Sequence, residues 1–257
     1  MTCDNAWPTR TLFGLPVHAL TMQDVLTIAE DVIAQRRRLL IGVVNAAKIV
    51  SMRQNPRLDQ AVRTADMILA DGISVVWAAR LLRRSLPERV TGIDLMYRLL
   101  ERGSERGWRV FCLGATEEVL AEVVRCINAR YPGVVVAGQH HGYFKSEDET
   151  GVANAIRAAR PDMLFVAMSS PRKEEFLARF NGELDVPLCH GVGGSFDVMA
   201  GKVKRAPRIW QRLGLEWLYR VVQEPGRMWR RYLVSNSIFC WLVLKELCAR
   251  SRTPETV

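Results

Sequence analysis

What most constrains this chain is a rhythm: short apolar runs of strand length recur between longer segments of helical period. The runs are Leu39 to Val44, Met67 to Ala70, Trp108 to Leu113, Val134 to Ala137, Met163 to Met168 and Val186 to Cys189. Between them apolar residues fall at i, i+3 and i+4, as in Leu95-Leu99-Leu100 and Val119-Val123-Val124-Ile127. Such alternation predicts an α/β fold, a parallel sheet with helices on both faces. The stretch LTMQDVLTIAEDVIAQRRR reads as an early helix with Thr21 as N-cap and Asp24 in its first turn. After about residue 200 the pattern changes to tryptophan- and arginine-rich helices without strands. We therefore expect a core over 1–199 and a basic helical C-terminal appendage over 200–257.

At 257 residues, 49% of them hydrophobic, the chain suffices for one sizeable α/β domain with an appendage. No run of 18 uncharged apolar residues occurs, and the first 20 residues lack the apolar centre of a signal peptide. A cytoplasmic protein is expected. The six cysteines include no C-x-x-C pair, and Cys112 and Cys189 lie within strand-like runs, which reads as reduced, buried thiols. The net charge of +9 is concentrated: residues 200–232 hold nine Lys/Arg against Glu216 and Glu224. That segment attracts phosphate, whether on a nucleotide, a nucleic acid or an anionic membrane.

In parallel α/β sheets ligands bind beyond the carboxyl ends of the strands. Asp71 follows the run Met67 to Ala70 there, with Gly72 beside it to let the backbone turn or a substrate approach. The alternative is that Asp71 N-caps the helix starting at Gly72 or Ile73. Asn45, Gly114, the Ser-Ser-Pro at 169–171 and GVGGSFD at 191–197, with Gly193 and Asp197, end other strands at the same rim. Together they suggest a nucleotide-sized site.

Several known cradles are excluded. GVGGSF has Phe196 where G-x-G-x-x-G needs its third glycine, and no acid-bearing second strand follows. GSFDVMAGK spaces its glycines wrongly for a phosphate-binding loop and has Val203 in place of Ser/Thr. His140-His141, near Glu147 and Asp148, reads as a solvated loop, and nothing in the sequence requires a metal or other cofactor.

The motifs VVNAAKIV, ADMILADGISVVWAARLL, ERVTGIDL, GVGGSFDVMAGKVKRAP and LGLEWLYRVVQEPGRMWRRY, in this order, resemble the WecG/TagA/CpsF glycosyltransferase family from about residue 10 to 245. The resemblance implies a Rossmann-like core and a metal-independent, inverting transfer from a UDP-sugar to a polyprenyl-diphosphate-linked sugar during assembly of a bacterial cell-surface polymer. Asp71 matches the family's base and Asn45 an asparagine that would orient acceptor or sugar. Arg89 matches an arginine near the site; its other reading is an ion pair with Glu88 or another acid. Arg220, Arg227 and Arg230 match arginines that would close over the leaving diphosphate or bind anionic lipid. Asp197 would accept a hydrogen bond from the uracil ring, unless it serves as a cap or structural ion pair.

Two positions depart from the family pattern: Val43 stands where T-x-N is usual, and Lys173 where P-x-Q-E is usual. Valine loses a hydroxyl, and lysine adds a charge that could meet a phosphate or a sugar carboxylate. A binding or assembly protein of the same fold, holding UDP without turnover, is the alternative. Between Arg231 and Lys245 stand thirteen uncharged residues, too few to span a bilayer but suited, with Trp210, Trp217, Trp229 and Trp241 and the basic flank, to an interfacial helix or to packing on the core or a second subunit. The expected partners are thus a UDP-sugar, a lipid-linked acceptor and the inner face of the cell membrane, with a homo-oligomer left open. Nucleic acid is not among them, for no DNA- or RNA-binding motif accompanies the basic segment.

Overall fold

The computed structural model describes residues 7–212, 214–223 and 225–251, and among its C-terminal helices the side chains of Arg220, Arg227 and Arg230 lie outside that description. Six parallel strands form the sheet: β3 (Leu39–Val44), β4 (Met67–Ala70), β5 (Arg109–Gly114), β6 (Val135–His140), β7 (Met163–Ala167) and β8 (Leu188–Gly191). Their spatial order is β4-β3-β8-β7-β5-β6. The expected Rossmann-like α/β architecture is therefore present, with the first two strands at the predicted residues and the others displaced by one to three residues at an end. Strand ends are set by ladder partners, which an apolar run does not reveal.

Successive strand residues point to opposite faces, and both faces are covered, so the strands read as continuous apolar runs. On one face Leu39, Ile41, Val110, Cys112, Met163 and Phe165 pack against α1 (Met22–Ala34), α5 (Gly92–Arg106), α6 (Glu117–Arg130) and α9 (Ser195–Met199). On the other, Leu40, Phe111, Leu113, Leu164 and Val166 meet α7 (Glu149–Ala159) and α8 (Arg172–Phe180). Val44, Ile68 and Ala70 lie with α2 (Ala46–Gln54), α3 (Pro56–Arg63) and α4 (Ile73–Leu81). Thr21 caps α1 as expected, its hydroxyl accepting the Asp24 N–H while Asp24 returns a bond to the Thr21 N–H.

The hairpin β1 (Thr9–Leu12) and β2 (Leu15–His18) has no counterpart among the predicted strands. Its signal was the Phe13-Gly14 pair, whose two positive φ values, 54° and 76°, close a two-residue turn. Leu12, Phe13, Leu15 and Val17 join the core cluster that also holds Ile68 and Ala70 of β4, residues of α2 and Phe239 of the last helix.

Beyond α9 the described residues form α10 (Arg208–Arg212), α11 (Glu216–Gln223) and α12 (Pro225–Ser251), helices without strands among them, as expected. Phe239, Leu242 and Val243 of α12 enter the core cluster built on α2 and the hairpin, and Phe13 and Phe239 rings meet at 5.3 Å. Glu246 accepts the Phe13 N–H at 3.1 Å and pairs with Arg84. By length and composition Tyr232–Ala249, mean hydropathy 1.3, would suffice to cross a membrane, a measure that the count of thirteen uncharged residues did not meet. Tolerating Lys245 and Glu246 within the window makes the difference. One face of this stretch is nonetheless bonded to the core, while Leu233, Val234, Trp241 and Leu244 are exposed.

Candidate active site

The carboxyl end of β3 turns into α2 on one face of the sheet, while that of its neighbour β8 turns into α9 on the other. A crevice opens where adjacent strands send their connections to opposite faces. Asn45 and the Gly191–Gly194 turn flank this seam. Asp71 is held one strand further out: its N–H donates to Val44 O at 2.9 Å, continuing the β3–β4 ladder past its last pair.

The Asp71 carboxylate does not cap α4. Gly72 is that helix's N-cap and supplies no side-chain bond, so the capping alternative falls. Instead Asp71 Oδ1 accepts the main-chain N–H of Gly92, the first residue of α5, at 3.0 Å. This is possible because Val90 N donates to Ala70 O at 3.0 Å, laying the segment before α5 across the end of β4. The positive end of α5 thereby faces an acid. Asp71 Oδ2 stands 3.5 Å from Asn45 Nδ2, while Asn45 Oδ1 caps α2 through the Lys48 N–H. Asn45 thus has two tasks, and its amide orientation follows from the cap.

Arg89, from the same segment, donates to Glu216 Oε2 at 2.9 Å, so the ion-pair reading holds, with an acid of the appendage and not Glu88. Arg89, Arg208, Ile73 and Gln211 line an open cleft of roughly 370 Å³ between the rim and α10. Arg205 grips Asp94 with two bonds, at 2.6 and 2.8 Å, tying the chain after α9 to the first turn of α5. Burial raises the Asp94 pKa, but the Arg205 and Thr91 hydrogen bonds outweigh it and hold the carboxyl below its usual range. Neither Arg205 nor Arg208 was singled out from the rest of the basic segment.

Lys173 is buried at the start of α8, where Gly191 makes room for it: a Cβ there would come within 3.0 Å of Lys173 Cε. Its Nζ lies 2.7 Å from Glu174 Oε1, which also accepts from Lys48 Nζ at 2.8 Å, and Lys48 donates to Val43 O at 2.7 Å as well. Buried Lys173 and Glu174 and half-buried Lys48 therefore sum to one positive charge beside the β3–β8 seam. Burial, then the Lys48 charge, bring Lys173 down to about 8. Burial acts to raise Glu174, but the Lys48 and Lys173 ammoniums prevail and hold it at about 2. Among the described residues Glu174 Oε2 has no hydrogen-bond partner, and Glu174 lines a cavity of about 30 Å³, room for one water. Lys48 and Glu174 escaped the sequence reading because a lysine and a glutamate 126 residues apart give no joint signal.

The remaining predicted residues fall along the same rim. Gly114 ends β5 with φ +123°, and a Cβ would lie 2.5 Å from Ala167 C and O, so only glycine fits. Gly193 N donates to Val166 O at 3.2 Å beyond β8, and Asp197 lies in the first turn of α9. From Asp71 beyond β4 to Gly114 beyond β5 is four strand spacings, roughly 19 Å. Arg220, Arg227 and Arg230 belong to α11 and α12, and their side chains lie outside the described residues. His140 ends β6, and His141 lies 3.9 Å from Glu117. Among the described residues no three His, Cys, Asp or Glu side chains gather as a metal cradle.

Six parallel strands with helices on both faces, and polar side chains gathered at a switch point beyond their carboxyl ends, define a Rossmann-like α/β protein. The sequence narrows this further: the model of the Glycosyl transferase WecG/TagA/CpsF family matches residues 10–253, and the chain belongs to that family. It is a glycosyltransferase. It is 42% identical over 180 residues, 70% of this chain and 69% of the relative, to the N-acetylglucosaminyldiphosphoundecaprenol N-acetyl-beta-D-mannosaminyltransferase of Bacillus spizizenii strain W23. It is 35% identical over 239 residues, 93% of this chain and 92% of the relative, to the protein of the same name from Bacillus subtilis strain 168.

Proposed function

We propose that this chain transfers a sugar, with inversion and without a metal, from a UDP-sugar to a polyprenyl-diphosphate-linked saccharide in the assembly of a cell-surface polymer. The observation that carries this reading is the Asp71 carboxylate, set at the carboxyl end of β4 with one oxygen on the Gly92 N–H and the other beside Asn45. The relatives' names supply the chemistry by analogy: an N-acetylmannosaminyl group moved to an N-acetylglucosaminyl diphosphoundecaprenol. An N-acetylhexosamine is accordingly the donor sugar we favour.

In this mechanism the acceptor hydroxyl oxygen forms a bond to the anomeric carbon on the face opposite UDP. The bond from that carbon to the diphosphate oxygen breaks, and Asp71 takes the hydroxyl proton. The Asn45 amide orients the acceptor or sugar. The diphosphate leaves as an anion, and guanidinium groups meet it with paired hydrogen bonds. Arg89 and Arg208 line the cleft beside the rim, and Arg220, Arg227 and Arg230 would complete the set from the appendage. Gly114 and Gly193 let the nucleotide approach the backbone, Asp197 takes the uracil N–H, and Lys173 adds the charge of its buried cluster to the substrate pocket.

Residues 1–199 act as the catalytic core and 200–257 as the appendage that closes the site and meets the lipid surface. The exposed Leu233, Val234, Trp241 and Leu244 on a helix whose other face is fastened to the core suit docking along the inner leaflet rather than crossing it. A lipid-linked acceptor would then be met where it resides.

The test is UDP release from UDP-N-acetylmannosamine, UDP-N-acetylglucosamine, UDP-hexoses and UDP-uronic acids, with a short-chain N-acetylglucosaminyl diphosphoprenol, no added metal, and Asp71→Asn as control. Acceptor-dependent release from one donor, lost in the control, is expected. Unchanged release in the control removes Asp71 as base. UDP binding without turnover of any pair favours the binding-protein alternative, which the Val43 and Lys173 departures motivate.

A further inference from the structure

His190 has none of its surface exposed, although its place in β8, between Ile41 of β3 and Phe165 of β7, is one that an aliphatic side chain would fill. Its ring stands edge-on to Phe165, with Nε2 3.1 Å from Gly92 O and Nδ1 3.3 Å from Ile41 O. A buried imidazole is costly unless hydrogen-bonded, so what it bonds to reports what it does. Neutral imidazole has one N–H; of the two carbonyls facing the ring Gly92 O is the nearer, so a proton on Nε2 would donate there. Burial, helped by the Lys173 charge, pushes the ring's pKa down and outweighs the hydrogen bonds to Gly92 O and Ile41 O and the Asp71 charge, which push it up, so the neutral form is favoured.

Gly92 is the residue whose N–H holds Asp71 Oδ1. Its carbonyl and its N–H are thus gripped from two sides, by a ring rooted in the sheet and by the proposed base. We infer that His190 is a positioning residue for the transfer: through Gly92 it sets where the first turn of α5, and with it the Asp71 carboxylate, stands relative to the acceptor hydroxyl. The inference rests on the reading of Asp71 as base. It requires a donor at the ε position of residue 190, a requirement that packing alone would not impose.

The experiment compares His190→Leu, His190→Gln and His190→Asn with wild type and Asp71→Asn. It measures kcat and donor KM with UDP-N-acetylmannosamine and the short-chain acceptor, together with hydrogen exchange of the Gly92 amide. A small misplacement of a reacting group costs on the order of 10²-fold, so His190→Leu should lose roughly 10- to 100-fold in kcat with donor KM within about twofold. His190→Gln carries its nitrogen donor where Nε2 stands and should keep kcat within about threefold. His190→Asn, whose donor sits at the δ position near Ile41 O, should behave as leucine does. Gly92 exchange should quicken in the leucine and asparagine variants and hold in the glutamine variant. Equal losses in all three variants, or wild-type kcat and exchange in His190→Leu, would overturn the inference. If the leucine variant does not fold, the glutamine–asparagine difference decides. An inactive Asp71→Asn beside a normal His190→Leu sinks only the positioning role, whereas an active Asp71→Asn removes the base reading beneath it.

Discussion

Arg89 and Glu216 form an ion pair at 2.9 Å that joins the rim of the sheet to the first turn of α11. A cation proposed for the leaving diphosphate is therefore held by an acid of the appendage, and an incoming anion must compete with that acid. Glu216→Gln should tighten UDP binding by up to about fivefold and Arg89→Ala should weaken it, since a partly exposed pair contributes about 1 kcal/mol or less. Calorimetric titration with UDP reads both. Weaker binding in Glu216→Gln would mean that the pair builds the site instead of competing with it.

Asn45 joins fold and chemistry, and two substitutions separate them. Asn45→Ala removes the cap on the Lys48 N–H and should cost about 1 kcal/mol of stability. Asn45→Asp keeps a capping oxygen but sets a second carboxylate beside Asp71, and should lower turnover more than tenfold by like-charge repulsion and loss of the amide donor. Denaturant unfolding and UDP release are the two readouts. Equal activity in wild type and Asn45→Asp would take Asn45 out of the site.

The buried Lys173 gives stability a predictable slope with pH. Folded, it releases its proton near 8, where the unfolded chain holds it to about 10.5. Between those values the unfolded state binds more protons, so stability rises with pH across the window. Relative to Lys173→Gln, wild type should gain on the order of 1–3 kcal/mol between pH 8 and 10.5. Glu174 gives a slope of the same sign in a lower window: its stabilisation is complete above the unfolded value of 4.5 and is lost as pH falls toward 2. Urea unfolding at pH 7.5 and 10 checks the lysine, and a parallel pair of curves would refute its burial as a cation.

On α12 the two faces predict opposite outcomes. Phe239→Ala empties a core position and should cost about 3–5 kcal/mol. Leu244→Asp alters an exposed side chain, should leave stability within about 0.5 kcal/mol, and should reduce sedimentation with anionic phospholipid vesicles. Undiminished vesicle binding by Leu244→Asp would exclude this face from the membrane contact.

The strands, their parallel arrangement and the rim positions of Asn45, Asp71, Gly114 and Gly193 were legible because apolar runs and chain breaks are local signals. Thr21 and Asp24 were legible for the same reason, as a capping box lies within four residues. The hairpin was not, since Thr9–Leu12 is largely exposed and its buried side chains find their partners only in distant elements, among them β4, α2 and α12. The role of Asp71 was half legible: its place at a strand end followed from pattern, but its partner, Gly92, lies 21 residues on.

By itself, then, the sequence determined the α/β class, the family, and the run of polar residues at the carboxyl ends of strands. Period and motif are carried by neighbouring residues and survive without a fold. The tertiary structure decided which of those residues meet. Lys48 finds Glu174 across 126 positions, Arg89 finds Glu216 across 127, and Gly92 is claimed by both Asp71 and His190. Such contacts follow from sheet order and from the need of buried polar groups for a partner, and both exist only once the chain is packed.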